Sequence, residues 1–330
     1  MNVFNDLRQR YGRFSLIALT LISPILSMAQ ANYPSKPIVV ISPFPPGGLN
    51  DTSARSVAKA IQEVTGKTTL VENRPGGGTM IALEHLSKQP ADGYNLLIAG
   101  DTNMAVMPHL TQSLNFSLTQ DFKGVTSLVV APTVLLIRPG LEAKTVNELV
   151  AIAQARPGKL SFASAGNATP PHMVGELFKA LTKIEVTHVP YKGAIPALID
   201  IMGNNVDFIF IDLPSASAQL KSGKVHALAV TSPKRLTLFP ELPTVAESGL
   251  PGFEGRSWQG VIVRKGTPPE IITWLNRVIL EGMKKPLIGG IYATQGAELF
   301  LSSPTEFDQM IKDERNKFGQ LISSANIKLE

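Results

Sequence analysis

The sequence contains no cysteine among its 330 residues. Disulfide bonds and thiolate metal ligands are therefore excluded, as is the attachment of a lipid to a cysteine. Aromatic residues make up only 6% of the chain, and they are not interleaved with lysines and arginines. A surface that stacks nucleic-acid bases needs both features together, so nucleic acid is not an expected partner.

Charge of either sign is modest as well. Lysines and arginines number 31 against 26 acidic residues, which gives a formal net charge of +5. The sequence has no lysine- and arginine-rich run of the kind that binds nucleic acid. Beyond the N-terminal segment, no apolar run approaches the ~20 residues that a membrane-spanning helix needs.

The first 31 residues have the composition of a cleaved export signal. Three arginines between positions 8 and 13 precede an apolar stretch, residues 14–28, and Ala29-Gln30-Ala31 fits an A-x-A cleavage site. An N-terminal membrane anchor is the alternative, but the apolar stretch is short for a spanning helix and ends at a cleavage-type site. We therefore expect residues 1–31 to be removed. The remaining 299 residues, with a net charge of about +3, would be free in the periplasm.

Along the rest of the chain, short β-branched or apolar segments alternate with helical patterns, which predicts an α/β fold. The predicted strands are residues 96–99, 134–137, 160–163, 186–189, 208–211 and 225–230. Since 299 residues exceed the usual ~150 residues of one domain, two domains are expected. Capping boxes predict three further helix starts, at Thr145, Thr267 and Ser303.

The most informative segment is residues 38–51, in which a β-branched strand runs into a loop rich in proline and glycine. A helix is predicted to begin after this loop, at Asn50 and Asp51. The first turn of a helix has N–H groups without acceptors and a partial positive charge, and Gly47 and Gly48 let a ligand approach the backbone closely. The segment therefore favours an anion, although a plain strand-to-helix turn has the same pattern.

A second segment of the same kind covers residues 160–172. Its strand ends at Ser164, the chain turns at Gly166 and Asn167, and a helix is predicted to start near Thr169 with proline in its first position. The side chains of Ser164, Asn167 and Thr169 can each donate a hydrogen bond, and the helix start is expected to add free N–H groups. Thr169 by itself is equally explained as a simple N-cap. Two such segments in one chain suggest two lobes that face each other.

Further motifs follow in order along the chain and complete a resemblance to a known family. They are Tyr33-Pro34-Ser35-Lys36-Pro37-Ile38, the Pro-Phe-Pro-Pro-Gly-Gly of 43–48, Val71-Glu72-Asn73-Arg74-Pro75-Gly76-Gly77-Gly78, Ala91-Asp92-Gly93-Tyr94, Ser164-Ala165-Gly166-Asn167, Val189-Pro190-Tyr191-Lys192-Gly193, Leu213-Pro214-Ser215-Ala216 and Leu242-Pro243-Thr244-Val245-Ala246-Glu247. Together they resemble the Bug-type receptors of tripartite tricarboxylate transporters. The chain departs from that pattern at Leu49-Asn50, where many members carry glycine and threonine, and at Pro170-Pro171, where they carry small polar residues.

The resemblance implies an α/β fold of the two-lobe periplasmic binding protein kind (type II-like), in which each lobe is a β-sheet flanked by helices. Two hinge crossovers are expected, near Val129–Thr133 and Gly255–Gly260. Residues 32–131 and 256–330 would form a discontinuous first lobe, and residues 132–255 the second. The implied function is to bind a small organic carboxylate between the lobes and deliver it to membrane transporter subunits. We expect a non-catalytic monomer without cofactor or metal.

The resemblance also implies which residues bind the ligand. In the first lobe the candidates are Phe44, Pro46, Gly47, Gly48, Asn50, Asp51 and Thr102. In the second lobe they are Ser164, Gly166, Asn167, Thr169, His172, Gly193, Ala194 and Asp212. Glycines would supply N–H groups, Asn167 and Thr169 would orient the carboxylate, and Phe44 would cover the carbon chain. Asp212 is equally explained as an anchor for the turn that follows it, since a carboxylate beside an anion costs energy unless it is paired.

Two other functions remain open from the sequence. A receptor with the same binding chemistry could signal to the sensor kinase of a two-component system instead of feeding a transporter. A periplasmic serine hydrolase would need His172 and Asp212 to activate Ser164, an arrangement that depends on geometry. Nucleotide-binding glycine loops and the His-Glu-x-x-His zinc pair are incomplete or absent in the sequence.

Overall fold

Strands and helices alternate through the chain, which is described here by a computed structural model covering residues 33–111 and 114–324. The predicted signal segment, residues 1–31, lies outside the described residues. The strands are β1 (Ile38–Ser42), β2 (Thr69–Asn73), β3 (Asn95–Gly100), β4 (Phe122–Ile137), β5 (Leu160–Ser164), β6 (Val186–Pro190), β7 (Phe208–Asp212), β8 (His226–Val230), β9 (Arg256–Arg264) and β10 (Glu298–Leu299). The helices are α1 (Leu49–Thr65), α2 (Met80–Ser87), α3 (Met107–Leu110), α4 (Val146–Ala155), α5 (Pro170–Thr182), α6 (Ala194–Met202), α7 (Leu213–Lys221), α8 (Pro269–Met283), α9 (Pro286–Thr294) and α10 (Pro304–Ser324).

Each predicted strand is confirmed, within one or two residues at its ends or as part of the longer β4. From Ile38 onward the described chain is one compact unit. Its strands lie in the order β2-β1-β3-β9-β4-β7-β5-β6, and β8 and β10 also pair with β4. The outer groups are parallel: β1 pairs with β2 and β3, and β5 pairs with β6 and β7. Because parallel strands end at the same sheet edge, the loops that follow them are brought together.

The central strand β4 runs antiparallel to its neighbours and changes partners along its length. Its residues 122–132 pair with β9, and its residues 133–137 pair with β7. The change occurs between Pro132 and Thr133, within the predicted crossover segment. At this point the Thr133 N–H donates to Thr231 Oγ1 (3.0 Å), and Thr231 Oγ1 donates to the Gly255 carbonyl. Buried hydrogen bonds therefore join the chain segments that pass from one half of the sheet to the other.

The core of the second half of the sheet is a cluster of phenylalanines. Neighbouring ring centroids are 5.4 to 6.4 Å apart, in the range of favourable edge and offset contacts. The members are Phe162, Phe178, Phe208, Phe210 and Phe253. Phe178 on α5 contacts rings from β7 and from the segment before β9, so it joins the helix to the sheet. Burial of one such ring stabilises the fold by roughly 1.5–3 kcal/mol.

Two of the three predicted capping boxes are confirmed. The hydroxyls of Thr145 and Ser303 accept hydrogen bonds from the backbone N–H three residues later, at 3.2 and 3.3 Å. The prediction at Thr267 is wrong, because its hydroxyl donates instead to the carbonyl of Arg264 (2.7 Å) and Pro268 is the N-cap of α8. With two consecutive prolines, the helix begins one residue later than the capping box requires.

Candidate ligand-binding site

A cavity of about 50 Å³ lies among the loops that follow β1, β3, β5, β6 and β7, together with the start of β9. The predicted site residues that line it are Phe44, Pro46, Gly48, Asn50, Thr102, Thr169, Gly193, Ala194 and Asp212. An adjoining cavity of about 230 Å³ shares Phe44, Pro45, Ala165 and Thr169 with the first. Gly166 and Asn167 line only this adjoining cavity. Gly47, Asp51, Ser164 and His172 line neither.

The start of α1 forms one side of the first cavity. Gly48 is the N-cap, it has extended backbone angles, and no side chain caps the helix. The N–H groups of the first helical residues, Leu49 and Asn50, have no acceptor within the helix by virtue of their position. Gly48, Leu49 and Asn50 all line the cavity. This helix start can therefore present backbone donors and a partial positive charge to a ligand.

Asp51 holds the loop before α1 in shape. Its Oδ2 accepts hydrogen bonds from the Gly47 N–H (3.1 Å) and from Arg55 Nε (2.9 Å), and its Oδ1 accepts from Asn73 Nδ2 (3.0 Å). Burial raises the pKa of Asp51, but these hydrogen bonds together outweigh burial and leave the pKa lowered. Both oxygens are occupied within the protein, so Asp51 acts on the loop and has no contact with the cavity.

The start of α6 faces the start of α1 across the cavity. Gly193 is its N-cap with φ = +119°, and Ala194 and Ile195 are its first helical residues. A methyl group added at Gly47 would lie 3.4 Å from Ile195 Cγ1, and one added at Gly193 would lie 3.2 Å from Pro45 Cδ. The two glycine loops are therefore in close contact, which places the free N–H groups of two helices around one cavity.

The start of α5 differs from the sequence expectation. Pro170 and Pro171 occupy its first two positions, and proline has no N–H, so the expected free backbone donors are missing there. Thr169 is the N-cap, and its hydroxyl donates to the Gly166 carbonyl (2.6 Å). The prediction that this helix start supplies several N–H groups is therefore wrong. α6 provides the second helix start instead.

The hypothetical hydrolase triad is not assembled. Ser164 Oγ lies 2.7 Å from Nε2 of His188, not of His172. His172 Nδ1 accepts from the Ala168 N–H (3.1 Å), and its ring stacks on His188 with centroids 4.1 Å apart. Burial, reinforced by neighbouring positive charge, lowers the pKa of His188 to about 3. Asp212 Oδ1 accepts a hydrogen bond from the Ser257 hydroxyl on β9. Ser164 and His172 thus shape the loop before α5.

Sequence reasoning missed several polar groups that the ends of β3 and β9 bring to the cavity. Asp101 directly follows β3, is only 2% exposed, and accepts a hydrogen bond at Oδ2 from the Trp258 N–H (2.8 Å). Ser257 Oγ donates to Asp212 Oδ1. Gln259 is also 2% exposed and lines the cavity. Asp101 lies two residues after the predicted strand at 96–99, which was an available signal, whereas β9 was not predicted as a strand.

The adjoining cavity has a second glycine-rich wall. Gly76, Gly77, Gly78 and Thr79 line it opposite Asn167, and Gly77, Gly78 and Thr79 have left-handed backbone angles, with φ of 57°, 59° and 81°. Thr79 Oγ1 is buried and has no hydrogen-bond partner in the structure. This wall was not among the predicted site residues.

The cavity contains acidic but no basic side chains. Among the described residues that line it there is no lysine, arginine or histidine, whereas Asp101 and Asp212 both line it. Within residues 33–111 and 114–324, no group of three or more histidine, cysteine or carboxylate side chains is placed to hold a metal ion. In the same part of the chain, no helix combines the length and apolar character needed to cross a membrane.

Two halves of a sheet share the central strand β4, and helix starts meet at one cavity. This arrangement is that of the two-lobe periplasmic binding protein class. The family model described as "Tripartite tricarboxylate transporter family receptor" matches residues 53–327, and the chain belongs to this family of periplasmic solute-binding receptors. Among its curated relatives, Protein BugT of Bordetella pertussis is 35% identical over 299 residues, which cover 90% of this chain and 92% of BugT.

Two solved structures of Rhodopseudomonas palustris proteins illustrate the similarity of fold. Rpa4515, solved with adipate, superimposes with a TM-score of 0.87 at 31% identity, covering 90% of this chain and all but 1% of that one. MatC, solved with bound malate, has a TM-score of 0.84 at 26% identity, covering 88% of this chain and 100% of its own. The chain therefore has the fold and the function of a solute receptor.

Proposed function

We propose that this receptor binds a small organic carboxylate at the starts of α1 and α6 and delivers it to the membrane subunits of a tripartite transporter, without catalysing a reaction. The observation that carries the proposal is the meeting of two helix N-termini at a cavity whose described lining includes no basic side chain. Helix starts stabilise anions through free N–H groups and the helix dipole, so no buried cation is required. The adipate and malate bound by the two relatives support this ligand class.

Closure of two lobes completes the proposed site. Gly47 and Gly48 belong to the proposed first lobe, residues 32–131 and 256–330, whereas Gly193 and Ala194 belong to the second, residues 132–255. A ligand that touches both helix starts stabilises the closed arrangement by its differential affinity. We further propose export through the signal at residues 1–31, a monomeric receptor, and a non-lipidated periplasmic form, in keeping with the lack of cysteine.

Removal of one backbone donor tests the anion site directly. Proline is tolerated at the first position of a helix but has no N–H, so Ala194→Pro deletes a single donor of α6. Ala194→Gly is the matched control, because it keeps the N–H. We expect the proline variant to bind the ligand roughly tenfold or more weakly by calorimetry, as for loss of one hydrogen bond to a charged group, and the glycine variant to bind nearly normally.

The ligand class is tested on protein that has been unfolded and refolded to remove bound solutes. Melting temperature is measured against mono-, di- and tricarboxylates and against the corresponding neutral amides. A ligand that binds only the folded state at 100 times its Kd adds about 2.7 kcal/mol to the free energy of unfolding. Acids should raise the melting temperature and amides should not. Equal effects of acids and amides, or no effect of any acid, would overturn the proposal.

A further inference from the structure

Two buried carboxyl groups are held side by side at the cavity by consecutive residues of β9. The Trp258 N–H donates to Asp101 Oδ2 (2.8 Å), and the Ser257 hydroxyl donates to Asp212 Oδ1. Consecutive Cα atoms are about 3.8 Å apart, so these two hydrogen bonds bring the ends of β3 and β7 to adjacent residues of β9. Asp101 is 2% exposed and Asp212 9% exposed, and both line the cavity.

The hydrogen-bonding capacity of this group is not satisfied within the protein. Asp101 Oδ1 is buried and has no hydrogen-bond partner among the described residues. The same holds for Gln259 Oε1, on a side chain that is 2% exposed and lines the same cavity. The Gln259 oxygen is an acceptor, and Asp101 Oδ1 is one when the carboxyl group is ionised. A buried acceptor that lacks a donor costs free energy. A ligand that donates hydrogen bonds to these two atoms would remove that cost.

Among the residues that the structure describes, no cation lines the cavity beside the carboxyl groups. Arg256, which begins β9, is paired with Glu314 at 2.9 Å and does not line it. Burial raises the pKa of Asp101 well above the usual carboxyl range, reinforced by the negative charges of Glu314 and Asp212. Burial likewise raises the pKa of Asp212 to about 6. The protein alone therefore stabilises negative charge poorly at this position, and a cation from the ligand would correct this.

The same cavity thus offers N–H donors at the starts of α1 and α6 and acceptors at Asp101, Asp212 and Gln259. An alkyl carboxylate would leave the acceptors unpaired, and a second carboxylate placed there would be repelled by them. We propose that Asp101, Asp212 and Gln259 form an ammonium subsite, so that the preferred ligand is an amino-carboxylate, a carboxylic acid that also carries a primary amine. A protonated amine supplies three donors and a positive charge. This inference rests on the proposed carboxylate site.

Pairs of acids that differ only in the amine test the subsite: succinate with aspartate, adipate with 2-aminoadipate, and propionate with β-alanine. Calorimetry on stripped protein near pH 7.5 should show the amine-bearing member of at least one pair bound about tenfold or more tightly than its partner. If the unsubstituted acids bind more tightly in every pair, the ammonium subsite is refuted while the carboxylate site stands. If no acid of any kind binds, the proposed function fails as well.

Variants separate recognition of the amine from a structural role. Asp101→Asn should weaken the amino acid by about tenfold or more and leave the plain acid unchanged or tighter, because it removes a negative charge that only the amine needs. Equal weakening of both ligands would overturn the proposal. Tighter binding of both would instead assign Asp101 to repelling the ligand carboxylate, which also refutes it. Asp212→Asn provides a second test should the first variant not fold, and Asp313→Asn on the exposed side of α10 is the matched control.

Discussion

Replacement of Asp212 by asparagine should stabilise the ligand-free protein at neutral and alkaline pH. The carboxyl group is buried, and burial raises its pKa to about 6, against about 3.9 in an unfolded chain. Between these values the folded state binds more protons than the unfolded state, so stability falls as pH rises through this window. Asparagine mimics the neutral carboxyl and retains an oxygen for the Ser257 hydroxyl, so the variant does not have this loss.

The size of the effect follows from the two pKa values. A difference of about 2 pKa units, at 1.36 kcal/mol each, corresponds to about 3 kcal/mol above pH 7 and to almost nothing near pH 4. A folded chain of about 290 residues has an unfolding entropy near 0.6 kcal/mol per kelvin, at ~2.1 cal/mol/K per residue. The asparagine variant should therefore melt about 5 °C higher than the parent at pH 8, with the gap closing toward pH 4.5.

Melting curves of stripped protein between pH 4.5 and 8 provide the assay. Asp313→Asn, an exposed change on α10, is the matched control. A difference for Asp212→Asn that is the same at every pH would refute the reasoning, since a titrating carboxyl group must produce a pH-dependent one. A variant that is less stable at pH 8 would show that the charged carboxylate is needed by the fold.

Three further changes test particular contacts. Gly193→Ala, with φ of +119° and a methyl group 3.2 Å from Pro45 Cδ, should weaken carboxylate binding about tenfold by calorimetry, whereas Gly252→Ala, also at positive φ but in open space, should not. Thr145→Ala removes the confirmed cap of α4 and should cost about 1 kcal/mol in urea unfolding; a loss below 0.3 kcal/mol would contradict that role. Phe178→Ala should cost roughly 3–5 kcal/mol in the same assay, and a loss under 1 kcal/mol would mean that the aromatic cluster repacks.

The strands and helix starts were largely predictable from sequence because the signals that specify them are local. β-branched segments marked the strands on either side of the cleft, and hydroxyl residues followed by glutamate marked helix starts at Thr145 and Ser303. The wrong prediction of a capping box at Thr267 has a local cause too. Two consecutive prolines follow it, and the helix begins at the second of them, Pro269. By contrast, no local pattern shows that β9 lies between β3 and β4, and the length of β4 depends on its partners on both sides.

The candidate site was predicted in part, and some of the predicted residues do not reach the cavity. Gly48 lies in a loop whose composition marks it, Gly193 and Ala194 were predicted from the family resemblance, and all three line the cavity. Asp51 belongs to the same motif as Gly48, yet its carboxylate accepts hydrogen bonds from the Gly47 N–H and from two side chains within the protein. A motif indicates that a residue belongs to a loop, but it cannot say whether the side chain points toward the ligand or back into the loop.

By itself the sequence determined the α/β class, the family, the two glycine loops and the absence of any thiol chemistry, because composition, short-range pattern and motif order are properties of the chain alone. Only the tertiary structure decided that the start of α6 lies against the loop before α1, and that Asp101, Asp212 and Gln259 share one cavity. Asp101 is more than a hundred residues from the other two along the chain, and the three groups meet because β9 lies between β3 and β4. Strand order is set by the packing of the whole sheet, and no local pattern encodes it.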